Sequence, residues 1–223
     1  MKIQKVESRE TYIQDQIKRS SKKFLYCKVG FEDVHVYKKV FKKNSIKVEG
    51  PVLCLGTRNG REIDLFRNIF FGNSFLNLLI KIFQIKRRGY SPLLPFLESF
   101  KRSDKEDLRN ISAIGLEINP EASRKDTIIG SFDDMPKDWE DTFTVLYSNS
   151  FDQSQDPIRT ANEWKRVAAP GAIIIIGFST TPPTDSDPVG DLTLNDFIEL
   201  FDGEILYFSN IVGSYKTVII KLK

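Results

Sequence analysis

Histidine is almost missing from this chain: His35 is the single imidazole in 223 residues. A histidine general base or a histidine-built metal centre therefore has next to nothing to draw on, and no His, Cys or acidic cluster has ligand spacing, so no metal is expected. Two cysteines, Cys27 and Cys54, are too few for a disulfide framework, and Cys54 falls inside a strand pattern. The expectation is a reduced, cytoplasmic protein. Long apolar runs are lacking too. FLNLLIKIF and AIIIIGF fall far short of a membrane span, and the start, MKIQKVESRE, has no apolar core of a signal peptide. Neither sign of charge dominates: 33 Lys and Arg against 30 Asp and Glu leave a net charge of +3. A field that weak does not call for nucleic acid as the partner.

What is present suits one globular domain with a real core, since 40% of the residues are hydrophobic. Basic residues gather early, in KRSSKK, YKK and KK within residues 18 to 43. They form either a solvated face or a site for an anionic partner. The first 49 residues are expected to be an N-terminal extension, with a helix over roughly 9 to 22 and then irregular or strand-like pieces around KFLYCKV and DVHVYKKVF.

From residue 50 to 223 strands alternate with helices. PVLCLG, ISAIGLEI, DTIIGSF, TFTVLYSNS and PGAIIIIGF are strand patterns, REIDLFRNIF and DPIRTANEWKRVA are helical, and the isoleucine run predicts a strand buried on both faces. DLTLNDFIELF is a helix capped by Thr193 or Asn195, and EILYFSN and KTVIIKLK close the chain as an antiparallel pair. The expected fold is α/β, a Rossmann-like doubly wound sheet of seven strands, mostly parallel with the last strand antiparallel. About forty residues, 70 to 110, do not fit the alternation. Phe75, Leu78, Leu79, Ile82 and Phe83 make a helical stripe there, closed by Lys86, Arg87 and Arg88. They predict an inserted helical segment after the first helix of the sheet domain. Residues 72 to 100 are then a core layer, a protein contact, or a lid or peripheral membrane contact.

The segment VLCLGTRNGREIDLF, residues 52 to 66, runs from a strand through two glycines into a helix. A dinucleotide loop needs glycines at places one, three and six, and a Walker loop needs Gly-Lys-Ser or Gly-Lys-Thr after four spacers. Counted from Gly56, neither is met. A GxGxG loop fits at Gly56 and Gly60, with Arg58 in the middle place. Glu117 then ends the second strand, GSFDDMP follows the third, YSNSFDQS ends the fourth, and EWKRVAAPGAIIIIGF forms the turn into the fifth.

In that order these motifs resemble the class I S-adenosylmethionine-dependent methyltransferases over residues 50 to 178. The resemblance is to the methyltransferase-11-like group, and within it to a subgroup whose first motif reads LCLGxRxGxE. It implies a methyltransferase with S-adenosyl-L-methionine as cofactor and a small-molecule or glycan-type acceptor. It also implies the loop Gly56, Thr57, Arg58 and Gly60 against the methionine moiety, with Glu62 as the subgroup's acid. Cys54 stands where many relatives carry an acid for the methionyl amino group, so that contact falls to backbone, water or Glu62. Arg58 or Asn59 contacts the carboxylate or points to solvent. Glu117 would hold the ribose hydroxyls, Ile118 would lie against the adenine, and Ser131 with the backbone of Phe132 would contact its edge. Asn149 lies beneath the methyl group. Asp152 is the candidate base for a hydroxyl acceptor, because Gln153 replaces the relatives' histidine. No D/N-P-P-Y/F sequence, the mark of base amino methylation, is present; SNSF takes its place. Cys54, Ser131 and Gln153 also leave open a non-catalytic protein that keeps this fold as a binding or assembly module.

Overall fold

The computed structural model describes residues 1–6, 8–24, 26–72, 112–212 and 215–223. The insertion expected over 70–110 lies outside the described residues from 73 onward, and so does nearly all of the contact surface expected at 72–100. Among the described residues, no helix is long and apolar enough to cross a membrane.

A seven-stranded sheet has the order β4-β3-β2-β5-β6-β9-β8. Its strands are β2 (Val52–Leu55), β3 (Ala113–Glu117), β4 (Thr127–Ile129), β5 (Phe143–Ser148), β6 (Ala168–Ser179), β8 (Glu204–Val212) and β9 (Tyr215–Lys221). The pairs from β4 to β6 are parallel, while β9 runs antiparallel to both β6 and β8. The expected doubly wound sheet with an antiparallel last strand is what forms. β9 sits inside, between β6 and β8, and leaves β8 at the edge. A short ribbon of β1 (Lys2–Ile3) and β7 (Val189–Gly190), not anticipated from the sequence, ties the chain's start to the segment after β6.

The central strands lack the polar alternation of a one-sided sheet because both faces are covered. On one face Leu53, Leu55, Ile114, Leu146 and Ile174 pack against α4 (Pro157–Val167) and α5 (Leu194–Phe201) through Trp164, Phe197 and Phe201. On the other, Val52, Cys54, Val145, Tyr147 and Ile175 meet α2 (Phe31–Lys43) and α3 (Arg61–Phe66) through Val34, Tyr37, Phe41, Ile63 and Phe66. The strand-like DVHVYKKVF is thus helix. Asp33 accepts from the Gly30 N–H at 2.8 Å and closes its first turn, and Phe31, Val34, Tyr37 and Phe41 fall on one helical side. α3 widens into a π-helical turn, Arg67–Phe71, where the Asn68 side-chain amide donates to the Asp64 carbonyl. Thr193 caps α5, as one of the two expected residues.

α1 (Arg9–Lys22) differs from α2 in kind. Only Tyr12 and Ser20 are buried on it, and neither belongs to a core cluster. It lies over the carboxyl ends of β2, β3 and β5. There the strand order reverses direction between β2 and β5, the usual ligand crevice of an open α/β sheet.

Candidate functional site

Three loops converge at that crevice. After β2 the backbone takes left-handed angles at Gly56, Arg58 and Gly60, with φ of 73°, 51° and 76°. A Cβ on Gly56 would stand 2.8 Å from Ser150 Oγ, so glycine lets the loops after β2 and β5 close on each other. Glu117, the last residue of β3, is 5% exposed and directed at the first loop. Its Oε2 accepts from the Arg58 N–H at 2.7 Å and its Oε1 from the Asn119 N–H at 3.1 Å. A carboxylate offers about four lone-pair sites, so each oxygen keeps capacity for a second donor from the cavity. Burial raises this carboxyl above its ordinary value, against the two N–H groups that pull it down.

Two connected cavities open here. The first, ≈ 130 Å³, is walled by Glu117, Ile118, Ser131 and Phe132 on the sheet side and by Tyr12 and Gln16 of α1 opposite. The second, ≈ 670 Å³, is walled by Glu62, Asn149, Asp152, Tyr26 and Lys28. Gly56, Arg58 and Ser150 line both, so they form one cleft. The cleft brings together Gly56, Arg58, Glu62, Glu117, Ile118, Ser131, Phe132, Asn149 and Asp152 of the expected site.

Two expected contacts do not reach it. Thr57 is 1% exposed, its side chain turned into the gap above Gly115, and it lines neither cavity. Gly60 also lines neither; it caps α3 in the left-handed conformation, with the Arg124 guanidinium filling the place where a Cβ would stand. Arg124 in turn donates to the carboxylates of Asp64 at 2.7 Å and Asp126 at 2.9 Å, a charge network that props the loop from behind. Cys54 is fully buried, and burial followed by the nearby Glu62 carboxylate pushes its thiol well above the usual value.

Among the carboxyls of the cleft, Glu62 and Asp152 are raised furthest. Glu62 is 4% exposed, and its Oε2 has no hydrogen-bond partner among the described residues. Burial raises its carboxyl to about 7, against its own backbone N–H, the Cys27 thiol and the Arg58 charge. That Oε2 oxygen is itself shut away from solvent, although the Glu62 side chain borders the second cavity. Asp152 can be reached from the cavity but is enclosed by protein elsewhere. Burial and then Asp187 raise it to about 7, while Lys28 pulls it down. Lys28 Nζ itself sits 3.5 Å from the centre of the Tyr215 ring.

Sequence reasoning missed the α1 wall. Tyr12 Oη shares its proton between the carbonyls of Gln153 at 2.9 Å and Ser186 at 3.1 Å, and Gln16 donates to the Ser186 carbonyl at 2.7 Å. The one available signal was the concentration of basic residues in KRSSKK, which contributes Lys22 and Lys23 to the second cavity. His35 instead stacks on Phe31 in α2, ring centres 4.5 Å apart, and lines neither cavity.

No protein-family model matches the chain, and no curated protein sequence does. Solved structures do resemble it. A chain of the complex between the Haloferax volcanii Trm112 methyltransferase activator and a methyltransferase superposes with a TM-score of 0.50, at 15% identity, covering 95% of this chain and 96% of that one. The Burkholderia thailandensis 1,6-didemethyltoxoflavin-N1-methyltransferase, solved with S-adenosylhomocysteine, superposes with a TM-score of 0.50, at 9% identity, covering 83% of this chain and 76% of that one. At such identities the likeness is one of fold: the chain has the class I fold of S-adenosylmethionine-dependent methyltransferases.

Proposed function

We propose that the chain is an S-adenosylmethionine-dependent methyltransferase acting on a small polar or glycan-type acceptor. The observation that carries this is Glu117 at the rim of the first cavity, its two oxygens braced by the N–H groups of Arg58 and Asn119. So placed, it accepts both vicinal hydroxyls of a ribose. Ile118 and Phe132 flank an adenine beside it, and Ser131 stands at its edge. Glu62, bordering the second cavity, would take the methionyl ammonium in place of the acid that Cys54 does not supply. The polar wall of the second cavity, with Lys22, Lys23, Lys28 and Asn149, supports a hydrophilic acceptor.

The bound cofactor would supply an electrophilic sulfonium methyl carbon. The protein's share is alignment, exclusion of water and removal of a proton where the acceptor is a hydroxyl. Asp152 is the group for the last task. With its carboxyl raised to about 7 it takes a proton once ionised, so the rate rises as pH increases through that value. Asp152→Asn should flatten this limb and lower the rate about a hundredfold or more, while leaving S-adenosylhomocysteine binding in place.

The decisive measurement is titration calorimetry with S-adenosylhomocysteine on wild type and Glu117→Ala. Micromolar binding by wild type, weakened at least about tenfold in the variant, supports the donor site. The replacements at Cys54, Ser131 and Gln153 favour a second reading, a non-catalytic binding module. Wild type that gives no heat at millimolar ligand would favour that reading over the first.

A further inference from the structure

Arg58 occupies a left-handed backbone conformation, φ of 51°, that a residue with a Cβ rarely adopts. Glycine would fit there without strain and would still offer its N–H to Glu117. The side chain is what a glycine lacks, and it is engaged. Its Nη1 donates to the carbonyls of Lys23 at 3.3 Å and Tyr26 at 3.1 Å, and the guanidinium stands 5.8 Å from the centre of the Tyr26 ring. The next residue repeats the contact: Asn59 Nδ2 donates to the Phe24 carbonyl at 2.6 Å. From the second loop, Asn119 Nδ2 reaches Ser20 Oγ at 3.2 Å and Ser21 Oγ at 3.1 Å.

All three donors hold one strap, residues 20–24 and 26, at the end of α1. That strap is a wall of both cavities: Ser20 and Lys23 border the first, while Ser21, Lys22, Lys23, Phe24 and Tyr26 border the second. Little else holds it. Among these described residues only Ser20 is buried, and none joins an apolar cluster.

We propose that Arg58 is a positioning residue that couples the donor site to the acceptor cavity. Its backbone N–H grips Glu117 and its guanidinium grips the strap, so ordering of one orders the other. Glu117 engaged by a ligand fixes the first loop. A fixed first loop holds the Arg58 fork against the Lys23 and Tyr26 carbonyls and steadies the acceptor wall. That wall is then most rigid when the donor is in place, and the ligand half of this coupling rests on the donor-site reading above.

Hydrogen–deuterium exchange of the Lys23, Phe24 and Tyr26 amides tests it, because those amides donate to Arg19, Ser21 and Lys23 carbonyls and report the strap directly. The variant is Arg58→Asn, since asparagine tolerates left-handed angles and keeps the N–H while losing the reach. Without ligand, Arg58→Asn should exchange these amides about tenfold faster than wild type, with Arg58→Lys between them. Saturating S-adenosylhomocysteine should slow them about tenfold in wild type and only about two- to threefold in Arg58→Asn, where Asn59 and Asn119 still hold the strap, although calorimetry shows the ligand bound. Equal exchange of wild type and Arg58→Asn without ligand would overturn the clamp. Equal slowing of both by ligand would overturn the coupling. A wild type that takes up no S-adenosylhomocysteine counts against the donor-site reading alone, and the ligand-free comparison then decides the clamp.

Discussion

At the residue scale the cleft is governed by three carboxylates in different environments. Glu117 has backbone partners on both oxygens, Glu62 keeps an unpaired oxygen, and Asp152 faces a repelling Asp187 and an attracting Lys28. The first is a structural acceptor for two backbone N–H groups, so Glu117→Ala should destabilise the fold by about 1–3 kcal/mol through the two abandoned donors. Denaturant unfolding measures that loss separately from affinity. Glu62 yields a prediction with a definite sign. Its ordinary value of 4.5 is raised to about 7 in the folded chain, so the folded state holds this proton more tightly than the unfolded one. Its stabilising share is complete below 4.5 and is lost as pH rises through about 7. Glu62→Gln removes the titration. The difference in unfolding free energy between variant and wild type should therefore move in the variant's favour by up to about 3 kcal/mol between pH 4.5 and 8. A difference that stays flat with pH would mean that Glu62 is not held near neutrality. That Cys54 lies inside a strand was legible in sequence. That Thr57 and Gly60 turn away from the cleft was not, since their orientation is decided by Gly115 and Arg124, far off in the chain.

At the element scale the sheet was legible and the helix before it was not. Unbroken apolar runs such as VLCL and AIIIIGF can satisfy their surroundings only as doubly covered strands. DVHVYKKVF begins with two-residue alternation and β-branched valines, and so imitates a half-buried strand. Its helical period emerges only when Phe31 is included and Asp33 is seen to close the turn on Gly30. The helices α1 and α2 look alike in charge but differ in anchorage. α2 buries Phe31, Val34, Tyr37, Val40 and Phe41 against the sheet, whereas α1 is held by Tyr12, Gln16 and the strap contacts. Deleting residues 1–22 should accordingly leave a cooperatively unfolding sheet domain with unchanged far-UV signature apart from one helix. S-adenosylhomocysteine affinity should fall about tenfold or more, because one wall of the first cavity goes with α1. Circular dichroism and calorimetry on the same sample check both halves. A truncated chain that fails to fold would place α1 in the core, contrary to its burial pattern.

At the scale of the whole molecule, the cleft belongs to no single element. Gly56 follows β2, Glu117 ends β3, Asp152 follows β5, and the covering wall comes from the chain's first quarter. Sequence order listed these motifs correctly but could not say that α1 folds back over them, because its contacts are between residues well over a hundred positions apart, such as Tyr12 with Gln153 and Ser186. Non-local contacts of this kind leave no periodic trace in either partner. They do leave a thermodynamic one. A ligand that binds loops from β2, β3 and β5 together with α1 binds only the assembled molecule, so its free energy of binding appears as stability of the whole. S-adenosylhomocysteine at a hundred times its dissociation constant should add about 2.7 kcal/mol, which for a chain of this length raises the unfolding midpoint by about 5–10 °C. Arg58→Asn should keep part of that increase, since Glu117 and the loop N–H remain. Glu117→Ala should lose nearly all of it at the same ligand concentration. Differential scanning fluorimetry across the three proteins ranks them, and a midpoint as responsive in Glu117→Ala as in wild type would remove the ligand from the convergence of the three loops.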